Sequence, residues 1–364
     1  MANLFLLPLK SIADLFGIES IPALLYKNIE KDSPDKLPLS ERTFRDVFNG
    51  KKQPSEKTLN KLSTILPFYN LDQFKSLESS MYMTNWELFI QLPAYTDFPH
   101  FPYFKNKFAS LAMDQVSLIR ETSSLSSETE RIKYLFNHPF THSFLNLDEI
   151  SVIANGDDFD IDKKIILTRL SLKMILYCIA YIDAEYGISR REDRGNRFSF
   201  IKKILPKFEQ DDYVNPVDSF FKLLKDHYKT TYAEMAKSIS VDTNNPDEKE
   251  QLNAKLRKFR TWRNIGKNQK LKQASYNEIK SILSALEPEL EELALLHATL
   301  LYYYAYFLHN IFEESLKGKI DGATIFDSKH ELVDWIKTHY DDYFEKTYAE
   351  IEGLIAKDAQ STFS

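Results

Sequence analysis

The side chains in this sequence with the most chemistry to offer are cations. Residues 251–277 hold Lys255, Arg257, Lys258, Arg260, Arg263, Lys267, Lys270 and Lys272 with no acidic residue among them, a local charge of +8. Guanidinium and ammonium groups without compensating carboxylates attract phosphate. Phe259, Trp262 and Tyr276, interleaved among them, offer flat faces on which unpaired bases can stack. Residues 190–207 carry +5, and residues 41–61, which include Arg42, Arg45, Lys51 and Lys52, carry +3. Together the three segments hold +16 of a chain whose formal net charge is −6, so the rest carries −22. That partition allows an acidic protein to present distinct basic faces.

Catalytic signatures are missing. No Walker loop, GxGxxG, GxSxG, HExxH or paired CxxC occurs. His138 and His142 stand four apart, but Pro139 separates them and no acidic third ligand lies close by. His309 and Glu313 share a helix face without the paired Glu-x-x-His of a di-iron bundle. The expectation is a protein that is not an enzyme and takes no cofactor or metal.

The elements that must position the cations read as helices. A chain of 364 residues is long enough for two or three packed units. It has only 9 glycines, and its apolar residues recur at spacings of three and four, so the fold class expected is all-α. Most of the 26 Phe and 20 Tyr, at such spacing, belong in a core. The single cysteine, Cys178, excludes an internal disulfide, and the start shows no leader pattern, which makes the cytoplasm the expected compartment. Residues 293–312 lack Asp, Glu, Lys and Arg, but tyrosines, histidines and flanking glutamates identify a buried central helix rather than a membrane span.

Helix signals run over residues 9–16 and 21–29. Ser40 is placed to cap a helix that ends at Asn49-Gly50, and Pro54-Ser55 opens the next, with Leu59, Leu62, Ile65 and Leu66 as its apolar stripe. Residues 92–104 read as an irregular connector and 162–186 as a long central helix. Gly187 to Asn196 breaks the pattern, and 211–216 looks like a boundary between halves. These signals divide the chain into 1–85, 86–210, 211–290 and 291–364.

An internal repeat relates the two halves. PLKSIADLF (8–16) matches PVDSFFKLL (216–224), and IPALLYKNI (21–29) matches TYAEMAKSI (231–239). TFRDVFNGKKQ (43–53) matches KFRTWRNIGKNQ (258–269), and TLNKLSTIL (58–66) matches EIKSILSAL (278–286), all in the same order.

SERTFRDVFNGKKQPSEKTLNKLSTIL, residues 40–66, resembles the later part of the phage-repressor-like, or Xre-type, helix-turn-helix domain, and KFRTWRNIGKNQ with EIKSILSAL resembles a more diverged copy. The resemblance implies two helix-turn-helix-like units embedded in a larger multi-helix body. It also implies contact with double-stranded DNA, in a regulator or a component of a defence or mobile-element system. In the first unit Glu41, Arg42 and Arg45 would face the major groove, Asn49, Lys51 and Lys52 the backbone, and Phe44, Val47 and Phe48 the core. In the second, Arg257, Lys258, Arg260, Arg263, Lys267 and Lys270 would correspond. The pattern departs from the family in long insertions at 30–39 and 240–249, and in the replacement of Pro-Ser by residues 270–275. Two other readings stay open. One is a protein-interaction scaffold whose helix-turn-helix units bind protein, with the aromatic helix at 293–312 as an oligomer interface; the other is an RNA or single-strand binder that stacks bases on Phe259, Trp262 and Tyr276.

Overall fold

The computed structural model describes residues 23, 26–27, 30, 39–48, 52, 54–65, 101–123, 125–154, 160–189, 197–241, 247–263 and 272–361. Within them the chain forms fourteen helices and two short antiparallel hairpins, so the all-α expectation holds with small β additions. It divides into two units. One comprises residues 1–186 together with 347–364, and the other residues 187–346.

The first unit contains α1 (Glu41–Phe48), α2 (Glu56–Ile65), α3 (Pro102–Ser123), α4 (Glu128–Asn137), α5 (Pro139–His142), α6 (Leu147–Ala154) and α7 (Ile161–Ser189). Short polar residues start these helices by accepting otherwise orphaned backbone N–H groups. The Thr43 N–H donates to Ser40 Oγ at 3.3 Å, and the Thr58 N–H to Ser55 Oγ at 3.3 Å. Ser127 and Glu130 form a reciprocal capping box at α4. Pro102 begins α3, where a missing N–H costs nothing, so the connector expected over 92–104 yields to helix at its last three residues. Of the early helix signals, Ala23, Tyr26, Lys27 and Glu30 are helical, and 9–16 lies outside the described residues.

Helix α7 is the spine of this unit. Leu170, Met174, Ile175, Leu176, Cys178, Ile179 and Ala180 are buried, and two thirds of its most apolar stretch is enclosed, although by length and composition alone it could cross a membrane. Gly187 does not end it; the helix continues to Ser189, since one helical glycine costs only about 1 kcal/mol. Its Glu185 accepts the N–H groups of Tyr103 at 2.9 Å and Phe104 at 2.7 Å, capping α3 from across the core. Its buried Lys173 donates to Glu149 at 2.5 Å and to the Phe144 carbonyl at 3.1 Å.

The second unit contains α8 (Ile201–Ile204), the hairpin β1 (Lys207–Glu209) and β2 (Asp212–Val214), α9 (Pro216–His227), α10 (Tyr232–Lys237), α11 (Glu248–Arg263), α12 (Tyr276–Leu286), α13 (Glu292–Lys317) and the hairpin β3 (Lys319–Ile320) and β4 (Ala323–Thr324). The last helix, α14 (Lys329–Ser361), belongs to this unit as far as Lys346. Residues 211–216, which looked like a boundary, supply part of the hairpin turn, strand β2 and the capped start of α9, and lie inside this unit. The core is aromatic. Phe221 of α9 meets Phe259 of α11 at 4.7 Å and Tyr302 of α13 at 5.9 Å between ring centroids, and Phe259 meets Trp262 at 6.3 Å. Helix α13 extends the 293–312 signal at both ends and buries Tyr302, Tyr304, Ala305, Phe307, Leu308 and Phe312.

Both hairpins turn through two residues with positive φ, the geometry whose twist matches paired strands. The second uses Asp321 (φ 49°) and Gly322 (φ 91°), whereas the first uses Gln210 (φ 51°) and Asp211 (φ 68°). Side chains with a Cβ are strained there. Gln210→Asn with Asp211→Gly should therefore stabilise the second unit by about 1 kcal/mol. The gain would appear as a higher urea midpoint at unchanged slope, and an unchanged midpoint would mean the turn is not under strain.

Candidate nucleic-acid interface

The cations singled out by sequence meet three different fates. On α1, Phe44 and Val47 are buried, and the Tyr26 ring packs on Phe44 at 5.7 Å while its hydroxyl donates to the Leu39 carbonyl at 2.9 Å. That packing turns the opposite face outward. The Arg42 side chain is 87% exposed and only loosely paired with Asp46 at 3.8 Å, Arg45 is exposed, and so is Lys52. Asn49, Lys51 and the Phe48 side chain lie outside the described residues.

On α11 the cations separate by face. Phe259 and Trp262 point into the aromatic core, and Arg263, one turn after Phe259, follows them. It is 7% exposed, its Nη2 and Nε lie 2.6 and 2.7 Å from Asp218 Oδ1, and its guanidinium lies 3.4 Å from the Tyr232 ring centroid. The Arg263 carbonyl also accepts from Asn215 Nδ2 at 3.0 Å, and Asn215 Oδ1 caps α9 through the Asp218 N–H. Arg263, expected among the outward cations, is thus an internal strut, because a buried guanidinium must keep its carboxylate.

Lys255 and Lys258 point sideways, toward α10. Their Nζ atoms donate to the carbonyls of Lys237 at 2.7 Å, the last residue of that helix, and of Ser240 at 2.9 Å, just beyond it. Lys258 also pairs with Glu278 at 2.5 Å. Burial opposes ionisation of Glu278, yet Lys258 and the Ser275 cap hold its carboxyl below the ordinary range. Lys258, expected to meet phosphate, is engaged within the fold.

The third face, opposite the core, carries Lys249, Asn253, Arg257 and Arg260, all exposed. Arg257 Nε donates weakly to the Asn253 carbonyl at 3.4 Å, which leaves the guanidinium at the surface. Lys272 is exposed as well, and its N–H bonds the Thr261 carbonyl at 3.2 Å. Lys267 and Lys270 lie outside the described residues. Toward its start α11 is acidic, with Asp247, Glu248 and Glu250 exposed, and it begins ten residues before the Lys258 at which the repeat aligns.

One local feature is shared by the two halves of the sequence repeat. Ser275 caps α12 by accepting the Glu278 N–H at 3.4 Å, as Ser55 caps α2, so the departure at 270–275 leaves the helix start intact. The blocks 216–224, 231–239 and 278–286 fall on α9, on α10 with its following turn, and on α12.

Three of the described histidines differ in surroundings. His138 Nδ1 caps α5 by accepting the Phe140 N–H at 3.2 Å, His142 is exposed, and His309 is 3% exposed within α13. Among the described residues no three His, Cys, Asp or Glu side chains come together as a metal site would require. No family model, curated protein or solved structure matches the chain.

Proposed function

We propose that this protein binds duplex nucleic acid, DNA in the first place, through two basic helices, without catalysis. The observation that carries the proposal is the outward set Arg42 and Arg45 on α1 and Arg257 and Arg260 on α11. Each set lies on a helix whose opposite face is locked into an apolar core, and each is followed by a Ser-capped helix. Arginine on a rigid helix face suits phosphate and base edges alike. The ordered repeat in the sequence and its resemblance to phage-repressor-like domains point the same way, toward a duplicated cytoplasmic regulator or defence component with no cofactor. Burial of Phe259 and Trp262, 1% and 2% exposed, counts against stacking on single strands, since it leaves Tyr276 alone of the three aromatics at the surface.

Mobility assays with duplex DNA, single-stranded DNA and RNA side by side test the reading. Duplex should bind most tightly and weaken steeply with salt. Charge reversal at Arg42 and Arg45, or at Arg257 and Arg260, should abolish most of that affinity. No binding to duplex at 50 mM salt, roughly the low end at which phosphate contacts are strong, would sink it.

A scaffold role is favoured by one feature. Helix α6 buries no side chain fully, and its Leu147 is 83% exposed. An apolar residue so placed suits a protein partner or self-association better than a nucleic acid.

A further inference from the structure

Resting on that reading, we infer that helix α11 of the second unit grips nucleic acid through phosphates alone, without reading bases. Base readout needs donors or acceptors that reach into a groove, or aromatic faces on which bases can stack. On α11 much of what could do either is engaged within the fold, which leaves Asn253, Arg257 and Arg260 outward. Arg263 is bound to Asp218, Lys258 to Glu278 and the Ser240 carbonyl, Lys255 to the Lys237 carbonyl, and Thr261 Oγ1 to the Lys258 carbonyl at 2.6 Å. Phe259 and Trp262 are buried.

Charge decides how the helix approaches. Its start presents Asp247, Glu248 and Glu250, and driving that end into a groove would bring three carboxylates against the phosphate walls. The end of α11 carries Arg257 and Arg260, three residues apart on one exposed face. That face lies along a strand from outside, with each guanidinium on a phosphate. The +8 that the sequence shows over 251–277 therefore shrinks, among the described residues of α11, to a contact of two arginines.

The test uses the full chain with three duplexes of unrelated sequence and equal length, titrated by fluorescence anisotropy across salt concentrations. Arg257→Ala with Arg260→Ala should weaken all three duplexes by the same factor, on the order of 30-fold at 0.15 M salt, and lower the salt slope by about 1.8. Arg257→Lys with Arg260→Lys should keep affinity within about threefold on every duplex, because lysine replaces arginine on a phosphate but not in a bidentate base contact. Circular dichroism melts confirm that both variants fold. A loss confined to one duplex, in either variant, overturns the inference and leaves duplex binding standing. Unchanged binding in the alanine variant also overturns it, and places the contact in the first unit. Absence of binding by the unaltered protein defeats the functional reading itself.

Discussion

Asp218→Ala should destabilise the second unit by about 3–5 kcal/mol, a large fraction of what holds a domain of this size together. Asp218 and Arg263 are both 7% exposed, and removing one leaves a buried charge without its counterion. The cap of α9 is untouched by this change, because Asn215 bonds the backbone N–H of residue 218 and the Arg263 carbonyl, so the loss reports the ion pair itself. Removing both charges is a different experiment. Asp218→Leu with Arg263→Met keeps apolar contact with the Tyr232 ring, and should lie within about 1–2 kcal/mol of the unaltered protein. Urea denaturation followed by tryptophan fluorescence reads both. A loss below about 1 kcal/mol for Asp218→Ala would mean that water, not Asp218, solvates the guanidinium.

Acid should act in opposite directions on two buried groups, one in each unit. In the second, burial holds the His309 imidazole down to about 4, with Glu313 opposing. An unfolded chain takes up that proton near pH 6.5, so this contribution to stability is present above 6.5 and is lost as pH falls toward 4, on the order of 3 kcal/mol in all. In the first unit, burial pushes the Glu185 carboxyl up to about 7, against the pull of the Tyr103 and Phe104 N–H groups. There the folded state holds the proton more tightly. Stability is full below pH 4.5 and falls as pH rises through 7, again by on the order of 3 kcal/mol. Hydrogen exchange across pH 4.5–7 should show α13 loosening on acidification while the start of α3 tightens. His309→Gln should flatten the first trend and Glu185→Gln the second. Parallel loss in both units would contradict the assignment.

Local signals explain what the sequence makes visible. Ser40 and Ser55 announce α1 and α2 because a hydroxyl beside the first helical N–H groups is a short-range fact, and α7 and α13 follow from long apolar stretches. The partner of Arg263 sits 45 residues away, a pairing no local pattern specifies. The inward turn of Arg263 itself was legible, because a residue four positions after the core Phe259 lies on the same face. The run of cations drew attention to charge where periodicity held the answer. Strands of two and three residues, as in both hairpins, are too short to show alternation. The start of α11, rich in Asp and Glu, has little apolar content to mark it as helix.

The first unit is interrupted in the chain. Its last segment, from Thr347, buries Tyr348 and Ile351, and Thr347 Oγ1 donates to the Ala180 carbonyl at 3.3 Å, yet residues 187–346 come between. A ribosome must therefore make the whole inserted stretch before the final piece of the earlier core exists, a delay of roughly 8–32 s at ordinary elongation rates. During that interval the exposed flank of α7 is apolar surface awaiting its cover, which makes this stage of synthesis the natural point for a chaperone to engage.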